Sequence, residues 1–402
     1  MLLNHFLKHT EKDRLKKEDN NMSVSIISCK DYDEAYSAVK KSIDLLGGMK
    51  KFVSPGERVL IKPNLVSRKN PDEAATTHPA VVNAVIRLVE EAGAVAVIAE
   101  SPGGIYNTAI LKSLYAGCGI NDAVKGTNAE LNYDTSFKDV SLPDGQVIKS
   151  TSIITPVLDC DKVISVAKMK THAMTAYTGA VKNLFGCIPG TYKAELHFRL
   201  DDRDAFCGML VDLYEYINPV LSVMDGVWGM EGDGPTSGVN RFMGIVMASP
   251  SGHELDLAAT HMMGYAPDEV VTVKNAISRK LIPDSAFKLD VLGDSLESHM
   301  MTDIVKPKSH FNLLRLLSLP PGLNKKLTKI LAAKPRVNKN ECIGCGECMR
   351  CCPPKAIVMK NKKPVIDEGK CIKCFCCQEL CPAKAMKIHR PVMNRIMLKF
   401  LN

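Results

Sequence analysis

Two runs of the chain share one cysteine spacing, CIGCGECMRCCP at residues 342–353 and CIKCFCCQELCP at residues 371–382. Each run has the pattern C-x2-C-x2-C-x3-C-P. Iron–sulfur cubanes are held by four thiolates, and the three closely spaced cysteines of such a run surround one cluster. The fourth cysteine, which precedes the proline, binds the cluster of the other run. The spacing therefore predicts two 4Fe–4S clusters.

This rule assigns eight cysteines to two ligand sets. The first set is Cys342, Cys345, Cys348 and Cys381, and the second set is Cys371, Cys374, Cys377 and Cys352. Cys351 and Cys376 lie inside the runs but out of register, so we expect them to be neighbours of the clusters rather than ligands. A zinc ion would need only four ligands. A disulfide framework is typical of small secreted proteins, so both alternatives fit this pattern poorly.

Over residues 336–390 the chain resembles a bacterial-type ferredoxin with two 4Fe–4S clusters. The resemblance implies a small α+β domain that transfers electrons, and it implies a redox partner protein. Residues 391–402 would then be a C-terminal tail.

The rest of the 402-residue chain is long enough for further domains. No run of eighteen apolar residues occurs, so we predict no transmembrane segment. Residues 1–22 lack the apolar core and cleavage site of a secretory signal, and their charge predicts a flexible extension. Fifteen cysteines without such a signal indicate the reducing cytoplasm.

The net charge of +8 is concentrated in residues 306–339, which contain many Lys and Arg and almost no acids. We interpret residues 301–335 as a solvated basic linker with two short helices. Alternatively, this segment docks an acidic electron-transfer partner, nucleic acid or an anionic membrane. No aromatic stacking pattern or nucleic-acid motif accompanies the charge, so nucleic acid is not an expected partner.

Residues 23–300 alternate between β-rich and helical patterns, which predicts an α/β domain with a mostly parallel sheet and helices on both faces. The predicted strands are 24–29, 58–63, 95–99, 162–167, 220–224, 242–248 and 289–292. The main predicted helices cover about 33–49, 79–93 and 204–216, with Thr77 as the cap of the second helix. Ligands of such sheets bind at the carboxyl ends of the strands.

Lysines follow several of these predicted strand ends. If the loops share one face, Lys62, Lys170 and Lys182, together with Lys168, form a pocket suited to a carboxylate, phosphate or enolate. His172 would donate protons to the substrate at neutral pH. The alternative is that these lysines are solvated loop charges.

Other polar residues allow more than one interpretation. His78 and His197 could assist catalysis, bind a metal or cap a helix, and Tyr177 could be an acid or a core residue. A divalent cation could bind the acidic residues of a glycine-rich segment, which are Asp225, Glu231 and Asp233. Cys187 has no base beside it in the sequence, and we expect it to be structural.

Seven motifs between residues 24 and 295 resemble domain of unknown function family 362. They are KPNL (62–65), HPAVV (78–82), ESPGG (100–104), KMKTH (168–172), YTGAVKNLFGCIPG (177–190), MDGVWGMEGDGP (224–235) and HELDLAAT (253–260). Members of this family often carry a ferredoxin domain and are described as iron–sulfur cluster-binding proteins. The resemblance implies an architecture but no reaction.

These observations favour an iron–sulfur oxidoreductase. The ferredoxin domain would pass low-potential electrons to a small anionic substrate or cofactor in the α/β domain. One alternative is a non-catalytic electron relay or binding protein. Another is a metal-dependent isomerase in which the clusters are structural.

Overall fold

The computed structural model describes residues 23–190, 192–200, 202–307 and 334–389. The expected N-terminal extension (1–22), the C-terminal tail (391–402) and most of the basic linker lie outside these ranges. Of the residues described, 23–307 form the α/β domain and 334–389 form the cysteine-rich domain.

The strands are β1 (Val24–Ser28), β2 (Arg58–Pro63), β3 (Val95–Ile98), β4 (Glu130–Leu131), β5 (Phe137–Ser141), β6 (Ser150–Ile154), β7 (Lys162–His172), β8 (Ala176–Thr178), β9 (Leu221–Glu231), β10 (Val239–Ser249), β11 (Val291–Gly293), β12 (Lys334–Val337), β13 (Ile357–Lys360), β14 (Lys363–Ile366) and β15 (Met386–His389). The helices are α1 (Ala35–Leu45), α2 (Pro79–Glu91), α3 (Thr108–Gly117), α4 (Ile120–Ala123), α5 (Thr155–Asp159), α6 (Ala180–Asn183), α7 (Tyr192–Arg199), α8 (Arg203–Ile217), α9 (Gly252–Met262), α10 (Val271–Ser278), α11 (Glu347–Arg350) and α12 (Cys376–Glu379).

The α/β domain is built on a nine-stranded sheet with the order β11-β1-β10-β9-β7-β2-β3-β4, and β8 pairs with β7. The strands β4, β3, β2, β7 and β9 pair in parallel, as do β1 and β11. Only β10 with its two neighbours and the β7–β8 pair are antiparallel. The sheet is therefore mostly parallel, as the sequence predicted.

Helices cover both faces of this sheet because its buried strands alternate apolar side chains between two cores. In β7, Ile164 and Val166 pack into the core formed with α1 and α2. The next residue, Ala167, faces the opposite core with α9 and α10, and Val163 packs against α8. Burial of these apolar side chains is the main stabilising contribution to the domain.

Three strands are longer than predicted, and the first of them is β10, which covers Val239–Ser249 instead of 242–248. β7 continues through Lys168 and Lys170 to His172, and β9 continues through the glycine-rich segment to Glu231. Parallel pairing of Lys168 with Asp225 lets both strands continue, because the two charges neutralise each other at 2.8 Å. The segment 168–172 is therefore strand rather than loop.

The cap of α2 is also different from the prediction. His78, not Thr77, is the N-cap, and its Nδ1 accepts a hydrogen bond from the Ala80 N–H at 3.2 Å. Thr77 is fully buried, where its hydroxyl donates to the Val166 carbonyl at 2.8 Å. His78 therefore accepts a hydrogen bond from one of the free N–H groups in the first turn of α2.

The cysteine-rich domain consists of two small antiparallel sheets, β12–β15 and β13–β14, and the short helices α11 and α12. Its core contains Ile357 and Met386 together with cysteines. This small α+β domain agrees with the prediction.

Candidate functional site

A cavity of about 330 Å³ lies between the α/β domain and the cysteine-rich domain. The α/β domain contributes polar residues from the ends of β2 and β3 and from α6 and α7. These lining residues are Lys62, Asn64, Glu100, Ser101, Lys182, Asn183 and Lys193. The cysteine-rich domain contributes Arg350, Cys351, Cys352, Pro353, Cys376, Glu379 and Leu380.

Lys62 is the single lysine of β2, and it is completely buried. Its ammonium lies 2.7 Å from Oε2 of Glu100 and 3.1 Å from Oδ1 of Asn183. Oε2 of Glu100 also accepts the Leu65 N–H at 3.0 Å. Gly186 passes so close that a Cβ there would lie 2.2 Å from the Glu100 carboxylate. The Lys62 charge is therefore neutralised, and backbone packs tightly against the pair.

Glu100 experiences opposing influences on its pKa. Burial raises the pKa of its carboxyl group, while the nearby ammonium groups of Lys62 and Lys193 oppose that rise. Lys193 on α7 donates to Oγ of Ser101 and to the Pro102 carbonyl, each at 3.1 Å, and also to the Ser101 carbonyl. Burial lowers the pKa of Lys193 to about 7.

Lys182 differs from the other lysines of the cavity. Among the residues that the structure describes, none forms a hydrogen bond or ion pair with its ammonium. Burial lowers its pKa, and Glu379 is the first charge that opposes this effect. An ammonium that lines a cavity without a partner is available to an anion.

The helix that carries Lys182 is held in place by Asp256 of α9. Oδ1 of Asp256 accepts the Ala180 N–H at 2.7 Å, and Oδ2 accepts the Val181 N–H at 3.0 Å. The Tyr177 hydroxyl also donates to this carboxylate at 3.1 Å. Burial raises the pKa of Asp256 to about 7. Tyr177 is therefore a buried positioning residue for α6.

Lys170 and His172 lie behind the cavity. The Lys170 ammonium donates to Oδ1 of Asn64 at 2.6 Å and to the Ala75 carbonyl. The pKa of Lys170 is well below its usual value, mainly because of burial, and the nearby Lys182 charge lowers it further. Asn64 itself lines the cavity, so Lys170 is connected to the site by its hydrogen bond to Asn64.

His172 is held as a neutral imidazole. Its Nδ1 accepts the backbone N–H groups of Met174 and Thr175 at 3.0 and 3.3 Å, which leaves the proton on Nε2. Nε2 lies 3.1 Å from Oε1 of Glu379, a residue that lines the cavity. Burial lowers the pKa of His172 to about 4. The role of His172 as a proton donor stays a prediction.

Lys168 belongs to a separate polar cluster. Its ammonium lies 2.8 Å from Asp225 and 2.8 Å from the Tyr32 hydroxyl, and His78 stacks on Tyr32 with ring centroids 3.5 Å apart. Asp225 therefore neutralises a lysine. In the described ranges, no three His, Cys, Asp or Glu side chains are placed to hold a single metal ion, so Asp225, Glu231 and Asp233 do not form a cation site.

The cavity also has an aromatic wall formed by Phe185, His197 and Phe198. His197 stacks on Phe206 with ring centroids 4.3 Å apart. Burial lowers the pKa of His197 to about 3, so its ring is neutral at physiological pH.

Cysteines from both runs pack together in the core of the cysteine-rich domain. Five cysteines from both runs line one small cavity inside the domain, namely Cys352, Cys371, Cys374, Cys376 and Cys377. Burial raises the pKa of Cys348 to about 11, and the charges of Cys345, Cys381 and Cys342 add to this effect because they lie nearby. Backbone N–H groups of Ala356 and Ala385 donate to Sγ of Cys352 and Cys381, each at 3.2 Å. Such hydrogen bonds suit thiolate ligands of iron–sulfur clusters.

Polar contacts join the two domains. Besides the contact of Glu379 with His172, the Thr236 hydroxyl donates to the Glu379 carbonyl at 3.0 Å, and Lys384 lies 2.8 Å from Glu73.

Sequence reasoning missed several residues of the site. Lys193 follows no predicted strand, so nothing in its local pattern separates it from a surface lysine. Glu100 stands in a motif that was recognised, but an acidic residue was not expected in an anion pocket. Glu379 lies between two cluster cysteines, and its contact with the other domain has no signal in sequence.

The model of the family Domain of unknown function (DUF362) matches residues 59–261, and that of the 4Fe-4S dicluster domain matches residues 334–382. The thylakoid-associated protein sll1697 of Synechocystis sp. (strain ATCC 27184 / PCC 6803 / Kazusa) is 35% identical over 265 residues, which cover 62% of this chain and 77% of that protein.

Among solved structures, the lactate racemase apoprotein from Thermoanaerobacterium thermosaccharolyticum has a TM-score of 0.38 and 12% sequence identity. The alignment covers 61% of this chain, and the chain spans 57% of the racemase chain. A likeness at this level says nothing about the reaction. None of the helices within the described ranges is long and apolar enough to cross a membrane.

Proposed function

The chain belongs to the DUF362 family and carries a 4Fe–4S dicluster domain, and from this premise we propose that it is an oxidoreductase. The two ligand sets would hold two 4Fe–4S clusters, and a small anionic substrate or cofactor would bind in the interdomain cavity. A redox partner protein would exchange electrons with the clusters in the cytoplasm.

One observation carries the proposal: the same cavity is lined by Lys182, whose ammonium has no ion-pair partner in the described part of the chain, and by Cys352 of the second ligand set. A bound anion would therefore lie next to a cluster ligand. Bound clusters would supply or accept single electrons, at potentials between about −700 and +450 mV.

The residues of the chain would divide the remaining tasks. Lys182 would bind the anionic group, and the aromatic wall would exclude water and contact the apolar part of the substrate. Lys62 is already paired with Glu100, so it would shape the site rather than bind the anion. Lys170 would position Asn64. His172 would fix Glu379 and thereby the position of the cysteine-rich domain.

An anaerobic redox titration followed by EPR tests this proposal. The fully reconstituted protein is titrated alone and with saturating acetate or inorganic phosphate. A bound negative charge opposes the uptake of an electron nearby. At an effective dielectric of about 20 and a separation of about 8 Å, its interaction is worth roughly 2 kcal/mol. We therefore expect the midpoint potential of one cluster to fall by on the order of 100 mV, given about 59 mV per tenfold change for one electron.

Lys182→Met should abolish this shift while keeping the iron content, and Lys41→Met on the exposed surface of α1 should retain it. A potential that no anion changes in the wild type would contradict the substrate site. The chain would then be an electron relay without a reaction of its own.

A further inference from the structure

The two cysteine sets of the cysteine-rich domain have different surroundings. Cys352 of the second set lines the interdomain cavity, beside Cys351 and Cys376. In the first set, Cys345 is exposed to solvent. The first set therefore approaches the outer surface of the protein, whereas the second approaches the candidate substrate site.

An exposed apolar residue stands between the first two cysteines of this outer set. Ile343 is 69% exposed, although it is flanked by Cys342 and Gly344. Gly344 has a φ of +73°, and a Cβ there would lie 2.8 Å from the Lys362 carbonyl oxygen. The turn that follows β13 thus packs directly on the Ile343 loop. Apolar residues in the centre of a polar surface are typical of protein interfaces.

Lysines surround this exposed residue. Lys363 donates to the carbonyls of Cys342 and Lys339 at 2.6 and 2.9 Å, so the start of β14 lies beside the start of the loop. Lys339, Lys360 and Lys362 are all exposed, and no ion pair of theirs occurs within the described ranges. Residues 334–389 contain twelve Lys and Arg against five Asp and Glu.

We propose that the surface formed by Lys339, Ile343, Cys345, Lys360 and Lys362, here called the Ile343 surface, is the docking site of a small acidic electron-carrier protein. The partner would be acidic because opposite charges steer association and orient the two surfaces. One electron would leave the reduced carrier and enter at the first ligand set, with no transfer of atoms. This inference rests on the two-cluster part of the proposed function.

The positions of the two cysteine sets give the order of sites along the path. Electrons would enter from the Ile343 surface, pass from the outer set to the set that contains Cys352, and reach the cavity. Each run donates its fourth cysteine to the other set, so the two sites are necessarily close neighbours.

Stopped-flow reduction under anaerobic conditions tests this proposal. A plant-type 2Fe–2S ferredoxin, which is a small acidic carrier, is reduced beforehand and mixed with the reconstituted full-length protein. We expect the second-order rate constant to fall as salt is added. The double variant Lys360→Glu/Lys362→Glu should lower that rate constant at low salt by about tenfold or more. Lys41→Glu, an equally exposed charge reversal on α1, should leave it unchanged.

Two measurements separate the docking effect from damage to the domain. The double variant should keep the wild-type iron content and visible spectrum. It should also be reduced at the wild-type rate or faster by the methyl viologen radical cation, which does not need a basic surface. A variant that accepts electrons from the ferredoxin as fast as the wild type would overturn the proposal.

An anionic membrane is the competing occupant of a basic surface. If vesicles that contain phosphatidylserine bind the wild type and not the double variant, while the ferredoxin rate stays the same, the surface binds lipid instead. The potential shift produced by anions at Lys182 is a separate observable. A negative result in the stopped-flow experiment would therefore not affect the proposed substrate site. A negative result in the redox titration with Lys182→Met would likewise not affect the proposed docking site.

Discussion

Replacing Lys182 with methionine should leave the free energy of unfolding unchanged or raise it, although this side chain lies in the interdomain cavity. Its ammonium has no hydrogen bond or ion pair within the described residues, and burial lowers its pKa. A partly desolvated charge without a hydrogen bond or ion pair opposes folding, and the nearby Glu379 charge offsets part of this cost. Methionine keeps the length and the apolar contacts of the lysine chain. We expect a change between zero and about +2 kcal/mol.

Lys62→Met is the control variant, because Lys62 lines the same cavity but its ammonium forms an ion pair. The side chains of Lys62 and Glu100 are 0% and 3% exposed, and their charged atoms are 2.7 Å apart. Removal of one partner from a buried pair costs about 3–5 kcal/mol, because the other charge loses its ion-pair partner while it stays buried. Lys40→Met, which breaks an exposed pair with Asp44, should cost about 0.5 kcal/mol or less.

Anaerobic urea unfolding, followed by tryptophan fluorescence, measures these differences. Trp228 is the single tryptophan of the chain and lies in β9, so its emission reports on the α/β domain. Because the folded state lowers the pKa of Lys182, the unfolded state binds more protons between that lowered value and 10.5. The cost of the charge is therefore fully present at low pH and is relieved as pH rises toward 10.5. The advantage of Lys182→Met over the wild type should shrink accordingly.

A loss of more than about 2 kcal/mol in Lys182→Met would refute this reasoning, since it would show that the ammonium is a structural contact. Equal losses in Lys62→Met and Lys182→Met would refute it as well. The variants must keep the wild-type iron content for the comparison to be valid.

Three further predictions concern the iron content, the pH dependence of stability and the independence of the α/β domain. The reconstituted protein should contain about eight irons, Cys348→Ala should remove roughly half of them, and Cys351→Ser should keep them all; four or fewer irons in the wild type would contradict the two ligand sets. Burial lowers the pKa of His78 to about 4. The free energy of unfolding should therefore decrease as pH falls from 6.5 toward 4, by up to about 1 kcal/mol per pH unit after discounting for partial exposure. His78→Asn should keep the cap and flatten this slope, whereas His389→Asn should leave it as in the wild type. A fragment of residues 23–307 should remain folded by circular dichroism, because its apolar cores contain no residue of the cysteine-rich domain; an insoluble fragment would show that the domains depend on each other.

The sheet and the cluster motif could be predicted because both depend on local patterns. Alternating apolar side chains placed β2, β3 and β7 correctly, and the spacing of Cys342, Cys345 and Cys348 is a property of one loop. The ends of β7 and β9 could not be predicted from such patterns. Lys168 and Asp225 are polar residues that normally end a buried strand, and only their pairing across the sheet allows it to continue.

The lysines of the predicted pocket illustrate a second limit. Lys62 lies at the end of β2 as expected, whereas Lys170 lies inside β7 and Lys182 lies on α6. The partners of Lys62 and Lys170 could not be foreseen, because they are distant in the sequence. Lys62 is neutralised by Glu100 and Lys170 is bound to Asn64, whereas Lys182 keeps its charge free of protein partners among the described residues. The identity of the one available ammonium therefore depends on three-dimensional contacts.

Pulsed EPR on the reduced protein tests the central claim most directly, since it detects nuclei within a few ångströms of a paramagnetic cluster. The protein is saturated in turn with carboxyl-13C acetate and with phosphate, whose phosphorus is itself detectable. We predict a 13C or 31P coupling in the wild type that disappears in Lys182→Met and persists in Lys41→Met. A wild type without any such coupling at saturating anion, or a coupling that Lys182→Met leaves unchanged, would contradict an anion site beside Cys352.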